Sequence, residues 1–221
     1  MQTEEYIIKH ADSFDWNSFQ CDMNYYSKDF FETFKYEIIR FVWKNSKGEL
    51  HRENGPAVEL VNGDKEWYLN GKRHRVDGPA CEYANGHKEW WINGERHRLD
   101  GPAIEYVNGY KEWFLNGKHH REDGPAIESA NGHKEWWING ERHRLDGPAV
   151  EWANGHKEWY FNGNLHREDG PAIEYADGDK SWYLNGKRHR EDGPAIEYAD
   201  GDKSWYLNGK ELTEKKYNDR Q

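Results

Sequence analysis

The sequence predicts a mainly β protein: an elongated antiparallel β-meander array of seven 23-residue, two-strand units, preceded by a small N-terminal helical cap. Three observations carry this. His-Arg recurs every 23 residues without insertion or deletion, at His51, His74, His97, His120, His143, His166 and His189. Every unit holds two Asn-Gly or Asp-Gly dipeptides between short apolar segments, the strongest short-range hairpin signal. A tryptophan returns at one fixed place, as Trp67, Trp90, Trp113, Trp136, Trp159, Trp182 and Trp205.

Three regions follow: residues 1–47 as cap, 48–212 as array and 213–221 as polar tail. In the first, Ser27-Lys28-Asp29 predicts the start of a helix over 30–41, with Phe30, Phe31, Phe34, Ile38 and Phe41 on one stripe and a shorter helix over 15–22 ahead of it. The stripe is expected to cover the first repeat, because an array of strands leaves an edge. In the first unit the strands are expected over 57–61 and 65–69. A two-residue turn at Asn62-Gly63 then sets Val58 opposite Trp67 and Glu59 opposite Glu66. Val58, Trp67 and Leu69 would face the core, and Ala57, Glu59, Glu66 and Tyr68 the other side. Opposed carboxylates weigh against this register unless an Arg52- or Lys72-type cation reaches across. Each unit passes to the next through Asp-Gly-Pro, read as a corner whose glycine supplies an unusual backbone conformation. The tail is expected to fray, leaving the strand edge near 204–207 open to a second copy, hence a homodimer through the C-terminal edge.

Charged residues make up 33% and hydrophobic ones 35%, a disorder-like balance, but 12 Trp, 14 Tyr and 8 Phe at fixed positions supply a thin aromatic core. The formal net charge of -10 argues against direct nucleic-acid binding and favours a basic partner. Cys21 and Cys81 show no metal or disulfide spacing, which fits a reducing, cytoplasmic setting. The N-terminus does not read as a signal peptide, and no stretch approaches the ~20 apolar residues of a membrane span.

Trp-x-x-Asn-Gly-Lys-x-His, followed by Tyr-Ala-Asn-Gly, resembles the MORN repeat over about residues 48–210. That family implies an elongated meander of hairpins associated with scaffolding and, in some members, lipid contact. The chain departs from it at His189-Arg190-Glu191-Asp192-Gly193-Pro194-Ala195 and its equivalents, which are similar to a variant found in phage and giant-virus proteins. The stretches Asp15-Trp16-Asn17-Ser18-Phe19 and Ser27-Lys28-Asp29-Phe30-Phe31 resemble a short helical repeat of the same viruses. The resemblance implies a viral origin, a place in the host cytoplasm and no family-wide enzymatic activity.

No residues are assigned to catalysis, cofactor or metal. The histidine ladder supplies one donor per unit beside an arginine, whereas a metal needs several converging donors; these side chains are expected to bond turn carbonyls and the acid two residues on. Pairs such as Glu59/Glu66 and Glu82/Glu89 recur without the single cleft a glycosidase needs. Arg121-Glu122-Asp123 and its equivalents read as ion-pair networks. The second aromatic of each unit, Tyr68, Trp91, Phe114, Trp137, Tyr160, Tyr183 and Tyr206, is assigned with Trp152 as a partner-binding strip, since aromatics beside solvent anchor interfaces. The Trp67-type residues are the structural ladder. The function expected is non-enzymatic protein binding, as a scaffold that inhibits or recruits a host or viral protein such as a defence enzyme. The alternatives are an acidic nucleic-acid mimic and a membrane-associated scaffold.

Overall fold

Each of the first six repeats folds as four short strands, not two, and the seventh as three, its Lys203–Leu207 strand running undivided through Trp205. The computed structural model describes residues 3–10 and 36–220. In the first repeat the strands are β3 (Val58–Leu60), β4 (Lys65–Glu66), β5 (Tyr68–Leu69) and β6 (Lys72–Arg73), preceded by β1 (Thr3–His10) and β2 (Tyr36–Lys44). The expected single strand over 65–69 is divided at Trp67. Its N–H donates to Ala80 O of the next repeat, while its carbonyl accepts from His74 N. One residue thus hands the chain from one layer of hairpins to another.

The molecule is a mainly β antiparallel meander of repeated hairpins, in two units, Met1–Val107 and Asn108–Gln221. In the first unit, β1 pairs with β2, β2 with β3 and β3 with β4; Cys81–Glu82, Lys88–Glu89 and Ile104–Glu105 continue the ladder. The hairpins β5/β6 and Trp91–Ile92/Glu95–Arg96 form a second row, joined where Gly94 N donates to Arg73 O and Arg75 N to Trp91 O. The second unit repeats the scheme from Lys111–Glu112 to Lys203–Leu207.

The two Asn-Gly turns differ. Asn70 (φ 49) and Gly71 (φ 76) both have positive φ, the two-residue type I′ turn the dipeptide predicts. At the other turn only Gly63 does (φ 97); Leu60 N donates to Asp64 O and Gly63 N to Leu60 O, closing a three-residue loop. The extra residue shifts the register by one: Val58 faces Glu66 and Glu59 faces Lys65. The expected Glu59/Glu66 opposition is corrected to a carboxylate against an ammonium, the favourable choice.

The core is also corrected. The fully buried positions are Ala57, Ala80, Ala103, Ala126, Ala149, Ala172 and Ala195, each 0% exposed, together with the larger Cys81, Ile104 and Val150. The tryptophans of the ladder are only half-buried.

The helix expected over 30–41 does not extend past residue 35, since Tyr36–Lys44 is a strand paired with Thr3–His10. The β-branched and aromatic run Ile38-Ile39-Arg40-Phe41-Val42-Trp43 suits a sheet. Residues 11–35, with the rest of that helix and the one expected over 15–22, lie outside the described residues. The strand covers the first repeat as the helix was expected to, by imitating a repeat. Trp43 N donates to Ala57 O and its carbonyl accepts from His51 N, as at Trp67.

At the other end the tail does not fray. Lys210–Leu212 pairs with Lys203–Leu207, and α1 (Glu214–Asn218) packs on the latter. Thr213 caps it by accepting from Lys216 N, and the buried Tyr217 donates its hydroxyl to Glu191 O. The edge expected to lie open near 204–207 carries its own cap.

Candidate binding surface

Three columns of side chains run through the repeats. The first is built at the Asp-Gly-Pro corners, where each arginine lies over the tryptophan ring of the preceding repeat. The guanidinium carbon is 4.0 Å from the Trp67 ring centroid for Arg75, 3.9 Å from Trp90 for Arg98 and 4.1 Å from Trp159 for Arg167. Arg52 covers Trp43 in the same way at 3.7 Å. Arg75 also donates from Nη1 to Pro79 O (3.1 Å) and Glu82 Oε1 (2.8 Å), and from Nε to Asp77 Oδ1 (3.0 Å). The repeated geometry of the corner is therefore that of an arginine held at Nε and Nη1. Gly55 has the positive φ expected of the corner glycine (φ 147), but from Gly78 on the glycine is required by contact instead: a Cβ on Gly78 would stand 3.0 Å from Arg75 Cζ. Hydrogen bonds from the arginines hold the carboxyls of Asp77, Asp100 and Asp123 below the usual carboxylate range. The ladder histidines serve the other turn: Nδ1 of His51, His120 and His189 accepts from the N–H of Asn70, Asn139 and Asn208. They meet turn amides where turn carbonyls were expected. Among the described residues no group of three or more His, Cys, Asp or Glu is placed to hold a metal ion.

The second column holds the residues assigned to a partner-binding strip. Tyr68, Trp91, Trp137, Tyr160, Tyr183 and Tyr206 are half-buried and Phe114 is buried. They bond inward. Tyr68 donates to Glu66 Oε2 (2.7 Å), Trp91 Nε1 to Glu89 Oε2 (2.8 Å) and Trp137 Nε1 to Glu135 Oε2 (3.0 Å). Burial and the Glu66 carboxylate push the Tyr68 phenol up to about 12. Arginines intercalate between successive rings: Arg142 lies 5.2 Å from Trp137 and 5.3 Å from Tyr160, and Arg188 lies 5.9 Å from Tyr183 and 5.4 Å from Tyr206.

Trp152 alone of the assigned strip residues is strongly exposed, at 44%, and it belongs to a third column along the three-residue loops. There Tyr106, Trp152, Tyr175 and Tyr198 stand in solvent at equivalent positions. Imidazoles are inserted beside them. His87 stacks 4.9 Å from Tyr83 and 4.1 Å from Tyr106; His156 lies 6.4 Å from Trp152 and 4.8 Å from Tyr175. Each imidazole is anchored from below by a glutamate, as His87 Nε2 by Glu89 and His156 Nε2 by Glu158. Sequence reasoning missed this column because alternation assigns these rings the core face of the Val58-type position, whereas each strand ends one residue before them and leaves them at the loop edge. The signal present was the variation at Ser129 and Trp152, which an inward position would not tolerate as well.

No protein-family model and no curated protein matches the chain.

Proposed function

We propose that the chain is a non-enzymatic protein-binding repeat scaffold whose contact surface is the loop edge, not the inner aromatic column. The observation that carries this reading is the row Trp152, Tyr175 and Tyr198, exposed 44%, 43% and 41% at one position of successive repeats. Rigid, half-exposed aromatics in register are interface anchors. The polar constellations of the interior do not compete with this reading. The His–Glu, Arg–Glu and Trp–Glu groups recur from unit to unit and bond one another. Exposed Asp177, Asp200 and Asp202 flank the row and favour a partner with a basic segment, in line with the net charge. The nucleic-acid mimic is less favoured, because the corner aspartates that would supply its charge are hydrogen-bonded to arginines. As for a membrane role, no helix among the described residues is long and apolar enough to cross a bilayer.

The test is affinity purification from host cells followed by sizing of the isolated complex. A stoichiometric protein partner is expected, lost in the triple variant Trp152→Ala, Tyr175→Ala, Tyr198→Ala with unchanged circular dichroism. Absence of a stoichiometric partner, or retention by the triple variant, would refute the reading.

A further inference from the structure

The third column changes character in the last two repeats. Where His87, His133 and His156 insert an imidazole, repeats six and seven carry Asp179 and Asp202. The glutamate that anchors the imidazole is replaced in the same repeats by Ser181 and Ser204. No ring therefore takes the imidazole's place between Tyr175 and Tyr198. In its place is a carboxylate, held beside Tyr198 because Asp179 Oδ1 accepts from Ala199 N at 2.8 Å.

We propose that this slot, walled by Tyr175 and Tyr198 and floored by Asp179, receives an arginine side chain from a basic segment of the protein partner. The inference rests on the scaffold reading above and names its partner chemistry. The protein displays in its own second column what fits between rings of successive repeats. Arg142 is shared between Trp137 and Tyr160, Arg73 lies 6.0 Å from Tyr68 and 5.4 Å from Trp91, and each guanidinium reaches a carboxylate or phenol. The outer slot occupies the position at which His87 and His156 lie between rings of successive repeats, and it carries an acid there. A planar guanidinium stacks on both walls while donating to Asp179, which a lysine ammonium does less well.

The surrounding charge favours a cation. Asp177, Asp179, Asp200 and Asp202 stand against Lys180, Lys203 and Arg188. Arg188 is engaged with the Tyr183 hydroxyl at 3.0 Å, and Glu174 and Glu197 are engaged by Arg167 and Arg190. Asp202 repeats the carboxylate beyond Tyr198. One repeat advances by two strands, about 10 Å, which three residues of an extended chain also span. In a polyproline II conformation, with three residues per turn and about 3.1 Å per residue, two arginines three residues apart lie on one face and reach both carboxylates.

The experiment is calorimetric titration of the full chain with the peptide acetyl-Gly-Arg-Gly-Ser-Arg-Gly-amide, with a neutral version carrying citrulline for both arginines, and with a lysine version. Saturable binding of the arginine peptide is expected, with citrulline at least ~tenfold weaker and lysine between them. Asp179→His, which installs the residue native to three other repeats, is expected to reduce arginine-peptide binding to the citrulline level. Asp64→His in the first repeat, where Leu60 replaces one wall, is expected to leave it unchanged. Equal affinity for the arginine and citrulline peptides, no saturable binding, or full binding by Asp179→His overturns the slot. If that happens while the cellular partner remains stoichiometric and dependent on the Trp152 row, the slot alone fails. If the peptide binds as expected but no cellular partner is recovered, the scaffold reading alone fails.

Discussion

Gly170→Ala tests whether the corner arginine organises the repeat. A Cβ at Gly170 would lie 2.8 Å from Arg167 Cζ and 3.1 Å from Nε and Nη2. Carbon atoms in contact prefer about 3.5–4.0 Å, so the guanidinium must retreat by roughly 0.7 Å or more. Its other face already rests on Trp159 at 4.1 Å, so it can only slide. Sliding weakens the bonds to Pro171 O (3.2 Å) and Glu174 Oε1 (3.0 Å). The bond to Asp169 is discounted, because that carboxylate is 84% exposed. A charge-assisted bond contributes about 1.5–3 kcal/mol and a cation–π contact about 0.5–2. Partial loss of these predicts destabilisation of about 2 kcal/mol. Gly170 has φ outside the left-handed range, so alanine itself is unstrained there. In an Arg167→Ala background the same change should instead stabilise by about 0.5 kcal/mol, by restricting the unfolded chain. Urea unfolding of the four members of the cycle, with m unchanged, measures both values. A Gly170→Ala effect of the same size and sign in both backgrounds would refute the idea that the glycine exists to admit the guanidinium.

Two further outcomes follow from the titrating groups. Burial pushes the Cys81 thiol up to about 12, and the side chain is fully buried, so in a Cys21→Ser chain alkylation by iodoacetamide should proceed only at the rate of unfolding; prompt labelling of the native state would contradict the placement of Cys81 in the core. Hydrogen bonds from the arginines depress the carboxyls of Asp77, Asp100, Asp123 and Asp146, so their stabilising contribution is full above the unfolded value of ~3.9 and is lost as pH falls through the lower folded value. Carbon-detected NMR titration of these side chains should show midpoints below that of a model aspartate, and midpoints at or above it would remove the corner hydrogen bonds from the account.

The period, the hairpins and the type I′ turn were legible because each is dictated by local chemistry. Asn70-Gly71 demands positive φ twice, and both residues supply it. The same dipeptide at Asn62-Gly63 misled, since a three-residue loop uses Asn and Gly equally well. The opposed Glu59 and Glu66 were the clue that the register was off by one residue. The strand at Tyr36–Lys44 was hidden by its aromatic stripe, which fits either period over so short a run. Trp43 precedes His51 by eight residues and Trp67 precedes His74 by seven, so a degenerate half-repeat was present but out of frame. The positions of the tryptophans were plain, but not their partners. The lid on Trp67 is Arg75, beyond a turn, and stacking across a unit boundary leaves no periodic mark of its own. The loop-edge rings were illegible because alternation puts them on the same face as the buried Ile104-type position, and they stand outside only because each strand ends one residue before them.

Every ladder indole from Trp67 to Trp182 is lidded by the arginine of its successor, and Trp205 alone of the ladder departs from this. Trp43 borrows Arg52 from the first full unit, while Trp205, with no unit after it, shares its hollow with Tyr217 of the terminal helix. Whole 23-residue cassettes can therefore be spliced in or out between the ends, since each junction regenerates the same lid. Trimming from the C-terminus instead bares an indole at once. Length variation in such a chain belongs to its interior.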